Sequence, residues 1–312
     1  NYITPEKLSQ NKEFYREEYK KIIGIPSFKN LPEVPDVKKE FVAEDEMCKI
    51  YRLSVETMAD FWFYGLLFIP HNIKKPAPLV IAQHGGGGTP EFCCDMYGEN
   101  NYSNFSKRAL EQGMVVFAPQ LLLWSFDIKT GEKFPVYDIK FSRNRIDNEL
   151  KRFGMSITGL EVFSIMRCID YLETLDFIDN KKIGMMGVSY GGFFSLHTAA
   201  ADERIKFIYD AASFNDRSEV FLQDWIWSND ISKFNESDVA GLCAPRTLII
   251  DVGKEDPVFD YAPSLKEAER AKKYYEYEKA EDKFRFNLWN GGHRFDVEGG
   301  SMDKFLNELK GE

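Results

Sequence analysis

Apolar and polar positions change rhythm twice along this chain. Residues 5–23 set apolar side chains at helical spacing among charged ones, which predicts an amphipathic helix. "IPSFKNLPEVPD" comes next, and its three prolines predict an extended linker. Residues 46–56 and 59–70 are two β-like runs of the kind that form a hairpin or meander. From residue 77 the texture becomes strict alternation of apolar strand and helix. "APLVIAQH" (77–84), "MVVFAPQ" (114–120), "KKIGMMGVS" (181–189), "IKFIYDAASF" (205–214), "RTLIIDVG" (246–253) and "KFRFNLWN" (283–290) predict strands. Helical patterns near 102–112, 155–175, 190–201, 264–280 and 301–310 lie between or after them. The 155–175 stretch carries Leu160, Phe163, Met166, Ile169 and Leu172 on one face.

Short apolar runs without polar alternation are strands covered on both sides, hence a mostly parallel sheet flanked by helices. The expected fold class is therefore α/β. Residues 1–44 read as an N-terminal helical extension and linker, and 45–312 as the catalytic domain. Polar and aromatic excursions at about 121–150 and 214–243 are its expected cover.

Composition narrows the class. The 312 residues are 44% hydrophobic, 29% charged and 15% aromatic, as in a globular protein rather than a disordered one. A net charge of −10 offers nothing to nucleic acid or an anionic membrane. No apolar run reaches membrane length. Five cysteines, an odd number without metal-ligand spacing, predict free thiols in a reducing compartment, so the cytoplasm is expected.

The candidate chemistry sits in Gly187-Val188-Ser189-Tyr190-Gly191, at the passage from strand to helix. A sharp turn there exposes a serine hydroxyl above the sheet and tolerates only small neighbours. That hydroxyl needs a base. Of His71, His84, His197 and His293, only His293 lies in a glycine-loosened loop after the last strand. The loop after "TLIIDVG" supplies the carboxylate to orient it: Asp256, with Glu255 as the alternative. Asp251, inside the strand, is the awkward choice. The Tyr190 N–H and one from the loop Gly85–Gly88, Gly86 first among them, are the expected oxyanion donors. Trp124, Phe126, Trp225 and Trp227 are candidates to line an aromatic substrate pocket. Arg143 and Arg145 are candidates for an anionic leaving group or for a solvated face.

With serine, acid and histidine in that order, residues 45–312 resemble the α/β-hydrolase superfamily. The stretch "FSIMRCIDYLETLDFIDNKKIGMMGVSYGGFFSLHTAAADERIKFIYDAASF" is similar to its dienelactone-hydrolase-like and acetyl-xylan-esterase-like branch. Two positions depart from the sugar acetyl esterases. Gly86 stands where an aromatic residue is usual, and Pro119-Gln120-Leu121 replaces an Arg-Gly-Gln-like motif. Gly-x-Ser-Tyr-Gly-Gly is also similar to the prolyl-oligopeptidase family. The resemblance implies a serine esterase that uses an acyl-enzyme, needs no metal or organic cofactor and acts on a small-molecule ester, with an acetylated carbohydrate or another small ester as the candidate substrate. A serine peptidase and a non-catalytic binding protein are the alternatives. A homo-oligomer is left open.

Overall fold

The computed structural model describes residues 3–96, 98, 100, 102–124, 142–228 and 230–311. Among these residues nine strands form one sheet: β1 (Val37–Glu44), β2 (Cys48–Met58), β3 (Phe61–Pro70), β4 (Ala77–Gln83), β5 (Val115–Pro119), β6 (Ile178–Val188), β7 (Ile205–Ala211), β8 (Thr247–Gly253) and β9 (Phe284–Trp289). Their spatial order is β1-β2-β3-β5-β4-β6-β7-β8-β9. The first three strands and the β3–β5 pairing are antiparallel, and every pairing from β5 through β9 is parallel.

The apolar runs are buried as their lack of alternation predicts. In β4, Leu79 and Ile81 enter one core cluster while Val80 and Ala82 enter the other. One face is covered by the helices Ile157–Leu172 and Tyr190–Ala201, the other by Phe105–Glu111 and Ser301–Lys310. Neighbouring strands follow the same rule, since successive side chains point to opposite faces.

The N-terminal region is more integrated than a helical extension and linker. Residues 37–44 form β1, paired in register with β2 from Val37–Val55 to Glu44–Lys49. Its run of charges escaped the strand pattern because an edge strand leaves most side chains in solvent. The helix Lys12–Ile22 docks on the elbow helix: the buried Tyr19 hydroxyl meets His197 Nδ1, and Arg16 donates to the Ala200 carbonyl at 2.5 Å. Ser156, which caps the helix Ile157–Leu172, donates its hydroxyl to the Ile23 carbonyl at 2.6 Å. Among the described residues, no helix is long and apolar enough to cross a membrane.

Candidate active site

β6 ends at Val188, and Ser189 turns the chain into the helix Tyr190–Ala201 with φ 58° and ψ −122°. A non-glycine residue at positive φ is strained and persists only where the surroundings enforce it. Here the Ser189 N–H is tied to the Ala211 carbonyl at 2.8 Å, and the Ser189 carbonyl accepts from Phe193 N at 2.9 Å. The neighbouring glycines are steric necessities. A Cβ on Gly191 would stand 2.2 Å from the Gln83 carbonyl oxygen, and one on Gly187 2.6 Å from that oxygen. The helix that follows is buried throughout its twelve residues and points its N-terminus at the serine.

His293 and Asp256 arrive from the two strands beyond. The loop after β8 begins at Gly253, where a Cβ would lie 2.2 Å from the Gly291 carbonyl oxygen, so the acid loop and the histidine loop pack backbone to backbone. His293 Nδ1 is 2.8 Å from Asp256 Oδ2. Asp256 Oδ1 accepts from Val258 N at 2.8 Å and Phe259 N at 3.2 Å. Burial pushes this carboxyl upward, but the bonds from His293 and the two N–H groups outweigh it and hold the carboxyl below its ordinary range. An ionised carboxylate only accepts, so Nδ1 carries the proton and Nε2 is left with its lone pair. Glu255 is exposed, and its backbone N–H bonds Gly291.

Ser189 and His293 line one cleft of ≈ 420 Å³ together with Gly85–Gly88, Tyr102, Trp124 and Tyr190. Phe221, Leu222, Val258 and Phe259 complete its apolar side. The glycine loop is held from both ends. Gly85 N donates to the Tyr102 hydroxyl at 2.6 Å, and Gly88 N to the Gly85 carbonyl at 3.0 Å. His84 is wholly buried and fixes this loop: its Nε2 accepts from Leu121 N at 2.9 Å, so Nδ1 donates to the Gly85 carbonyl at 2.8 Å. Burial lowers its pKa to about 4, which keeps the ring neutral. Gly86 sits against the Tyr190 ring, where a Cβ would meet Cδ2 at 3.0 Å.

Several expectations need correction. Trp124 lines the cleft, whereas Trp225 and Trp227 are buried outside it. Trp225 stacks on Phe193 with centroids 3.9 Å apart, and Arg217 lies 4.6 Å over the Trp227 ring, so both pack the cover onto the elbow helix. Arg143 is neither solvated nor free for a leaving group. Buried at 5% exposure, it grips both carboxylate oxygens of Glu161 at 2.6 Å and Asp224 Oδ2 at 2.6 Å. Asp224 Oδ1 in turn accepts from the Tyr190 hydroxyl at 2.9 Å. Arg145 is exposed, and Phe126 lies outside the described residues. Asp251 is indeed buried in its strand, but Asn287, Ser301 and the Asp296 N–H satisfy it at 3.1, 2.7 and 3.1 Å.

Asp224 and Glu161 beside the elbow, and Tyr102, Phe221, Val258 and Phe259 on the cleft, belong to the site without a motif in the sequence to mark them. Val258 and Phe259, two and three residues after the acid, and Phe221, inside the 214–243 excursion, carried a positional hint.

A family model for the X-Pro dipeptidyl-peptidases (S15 family) matches residues 156–276. That stretch contains Ser189 and Asp256 and stops short of His293. YtaP of Bacillus subtilis (strain 168), provisionally described as a hydrolase, is 25% identical over 199 residues, 60% of this chain. The matched stretch spans 63% of that relative, less than two thirds of its length. Among solved structures, a glucuronoyl esterase from Solibacter usitatus superposes with a TM-score of 0.70 at 14% identity, covering 100% of this chain and 99% of that one. Acetyl Xylan Esterase 1 from Thermoanaerobacterium sp. JW/SL YS485 gives a TM-score of 0.64 at 13% identity, with 96% and 94% covered.

The chain has the α/β-hydrolase fold. In the α/β-hydrolase arrangement the order serine, acid, histidine along the chain becomes three neighbouring loops at the carboxyl ends of parallel strands. The sheet order places β6, β8 and β9 so that their loops meet, which is how residues 67 and 37 positions apart (256 − 189 and 293 − 256) share one rim.

Proposed function

We propose that this protein is a serine-dependent carboxylic ester hydrolase that works through an acyl-enzyme. The observation that carries the reading is the pairing of His293 with Asp256 on the cleft that holds Ser189 in its strained turn. Nε2, free of the Nδ1 proton, takes the proton of Ser189 as its oxygen attacks the ester carbonyl. The oxyanion is met by the Tyr190 N–H, which as the first N–H of its helix has no carbonyl partner within that helix, and by Gly86. The helix dipole adds to this stabilisation. The imidazolium then protonates the leaving alkoxide, and the same ring activates the water that releases the acid. Each donor lost from such a hole costs about 3–4 kcal/mol of transition-state stabilisation. A reducing compartment suits the five cysteines, none of which is in a disulfide.

Labelling by a fluorophosphonate and hydrolysis of p-nitrophenyl acetate and butyrate test the proposal. Both should occur in the native chain and vanish in Ser189→Ala. Turnover that survives the substitution would sink it.

A serine peptidase is the second reading, favoured by the X-Pro dipeptidyl-peptidase match over 156–276. A dipeptidyl substrate presents a free ammonium, and no carboxylate lines the cleft among the described residues. Dipeptidyl nitroanilides with proline at the second position separate the two readings. Cleavage of these alone would reverse the ranking.

A further inference from the structure

The path of the proton fixes which wall of the cleft meets which half of an ester. In the ester-hydrolase reading, on which this inference rests, His293 takes the Ser189 proton and returns it to the departing oxygen. The C–O bond to the alcohol breaks, the serine–acyl bond remains, and the alcohol leaves past the imidazole. The carbonyl oxygen points the other way, toward the Tyr190 N–H and Gly86, beside which Trp124 stands: its ring centroid is 5.4 Å from that of Tyr190.

On the imidazole side the neighbours are apolar. The Phe259 ring lies 5.9 Å from His293, and the Phe221 ring 6.1 Å from Phe259, with Val258 alongside. Phe221 is 63% exposed and Val258 42%, large apolar surface left open at the mouth of a cleft. Among the described residues that line the cleft, none is Asp, Glu, Lys or Arg. A charged alcohol would therefore shed its hydration there without a partner, whereas an apolar body would cover surface that otherwise faces water.

We infer that Phe221, Val258 and Phe259 form a leaving-group subsite for an uncharged alcohol with an aromatic or bulky alkyl body. The acetates of methanol, benzyl alcohol and glycolic acid test it, because they share one acyl group and all release alkoxides. The native chain should prefer benzyl acetate over both others in kcat/KM by about tenfold or more. Phe221→Ala should bring the benzyl-to-methyl ratio close to unity, mainly through KM, while Phe221→Trp keeps the preference. Equal rates on methyl and benzyl acetate in the native chain, or a ratio unmoved by Phe221→Ala, would overturn the subsite and leave ester hydrolysis standing. No turnover of all three acetates and of the p-nitrophenyl esters alike would remove the ester-hydrolase reading and this assignment together.

Discussion

Asp256 binds His293 through Oδ2 while its other oxygen is held by the N–H groups of Val258 and Phe259, so its own loop fixes the carboxylate that the imidazole meets. That order of support makes Asp256 the determinant of the His293 tautomer. Asp256→Asn should leave the fold intact and lower kcat by about 10³–10⁴-fold, because an amide nitrogen facing Nδ1 favours the wrong tautomer. A steady-state assay of the two proteins decides it. A fall of less than about tenfold would mean that another group orients the ring.

The strain at Ser189 should be measurable as stability. Glycine adopts φ 58°, ψ −122° without the steric cost that a Cβ brings, about 1–3 kcal/mol, and gives back about 0.5–1 kcal/mol in chain entropy. Ser189→Gly should therefore be inactive yet about 1 kcal/mol more stable than Ser189→Ala. Urea titrations of the two variants compare them directly, and a less stable glycine variant would contradict enforced strain.

Arg143 neutralises two buried carboxylates at once. Its removal leaves Glu161 and Asp224 with interior charge and no cation, a loss of about 3–5 kcal/mol by analogy with other broken buried pairs. Arg143→Ala should lose that much in chemical denaturation. Turnover should fall as well, since Asp224 holds the Tyr190 hydroxyl. A change within about 0.5 kcal/mol, the range of ordinary surface substitutions, would contradict the arrangement.

His84 should register as acid sensitivity. The folded ring stays neutral down to about pH 4, whereas in the unfolded chain it takes a proton below about pH 6.5. The unfolded state thus binds more protons between those values, and stability must fall as pH drops across that window, by about 3 kcal/mol in all. His84→Gln should flatten this part of the profile while costing stability at pH 7. Identical slopes in the two proteins between pH 6.5 and 4.5 would refute it.

Local rules carried the reading a long way. Ser189 was legible because a strained turn demands glycines on both sides, and His293 because its loop follows the last strand. β1 was hidden, since edge strands need no apolar stripe and "VKKEFVAE" shows none. The burial of Arg143 could not be foreseen, because its partners lie 18 and 81 positions away and charge pairing leaves no periodic trace. Trp225 and Trp227 failed for a related reason: indole rings serve a pocket or a core equally well, and only packing on Phe193 and under Arg217 decides between them.

The guanidinium that ties the cover to the residue after Ser189 also limits how chains of this fold can be recombined. A chimaera that exchanged the segment spanning Arg143 for a foreign one would inherit two orphaned acids beneath the elbow helix. Any donor segment must bring its own cation, or arrive with Glu161 and Asp224 already replaced.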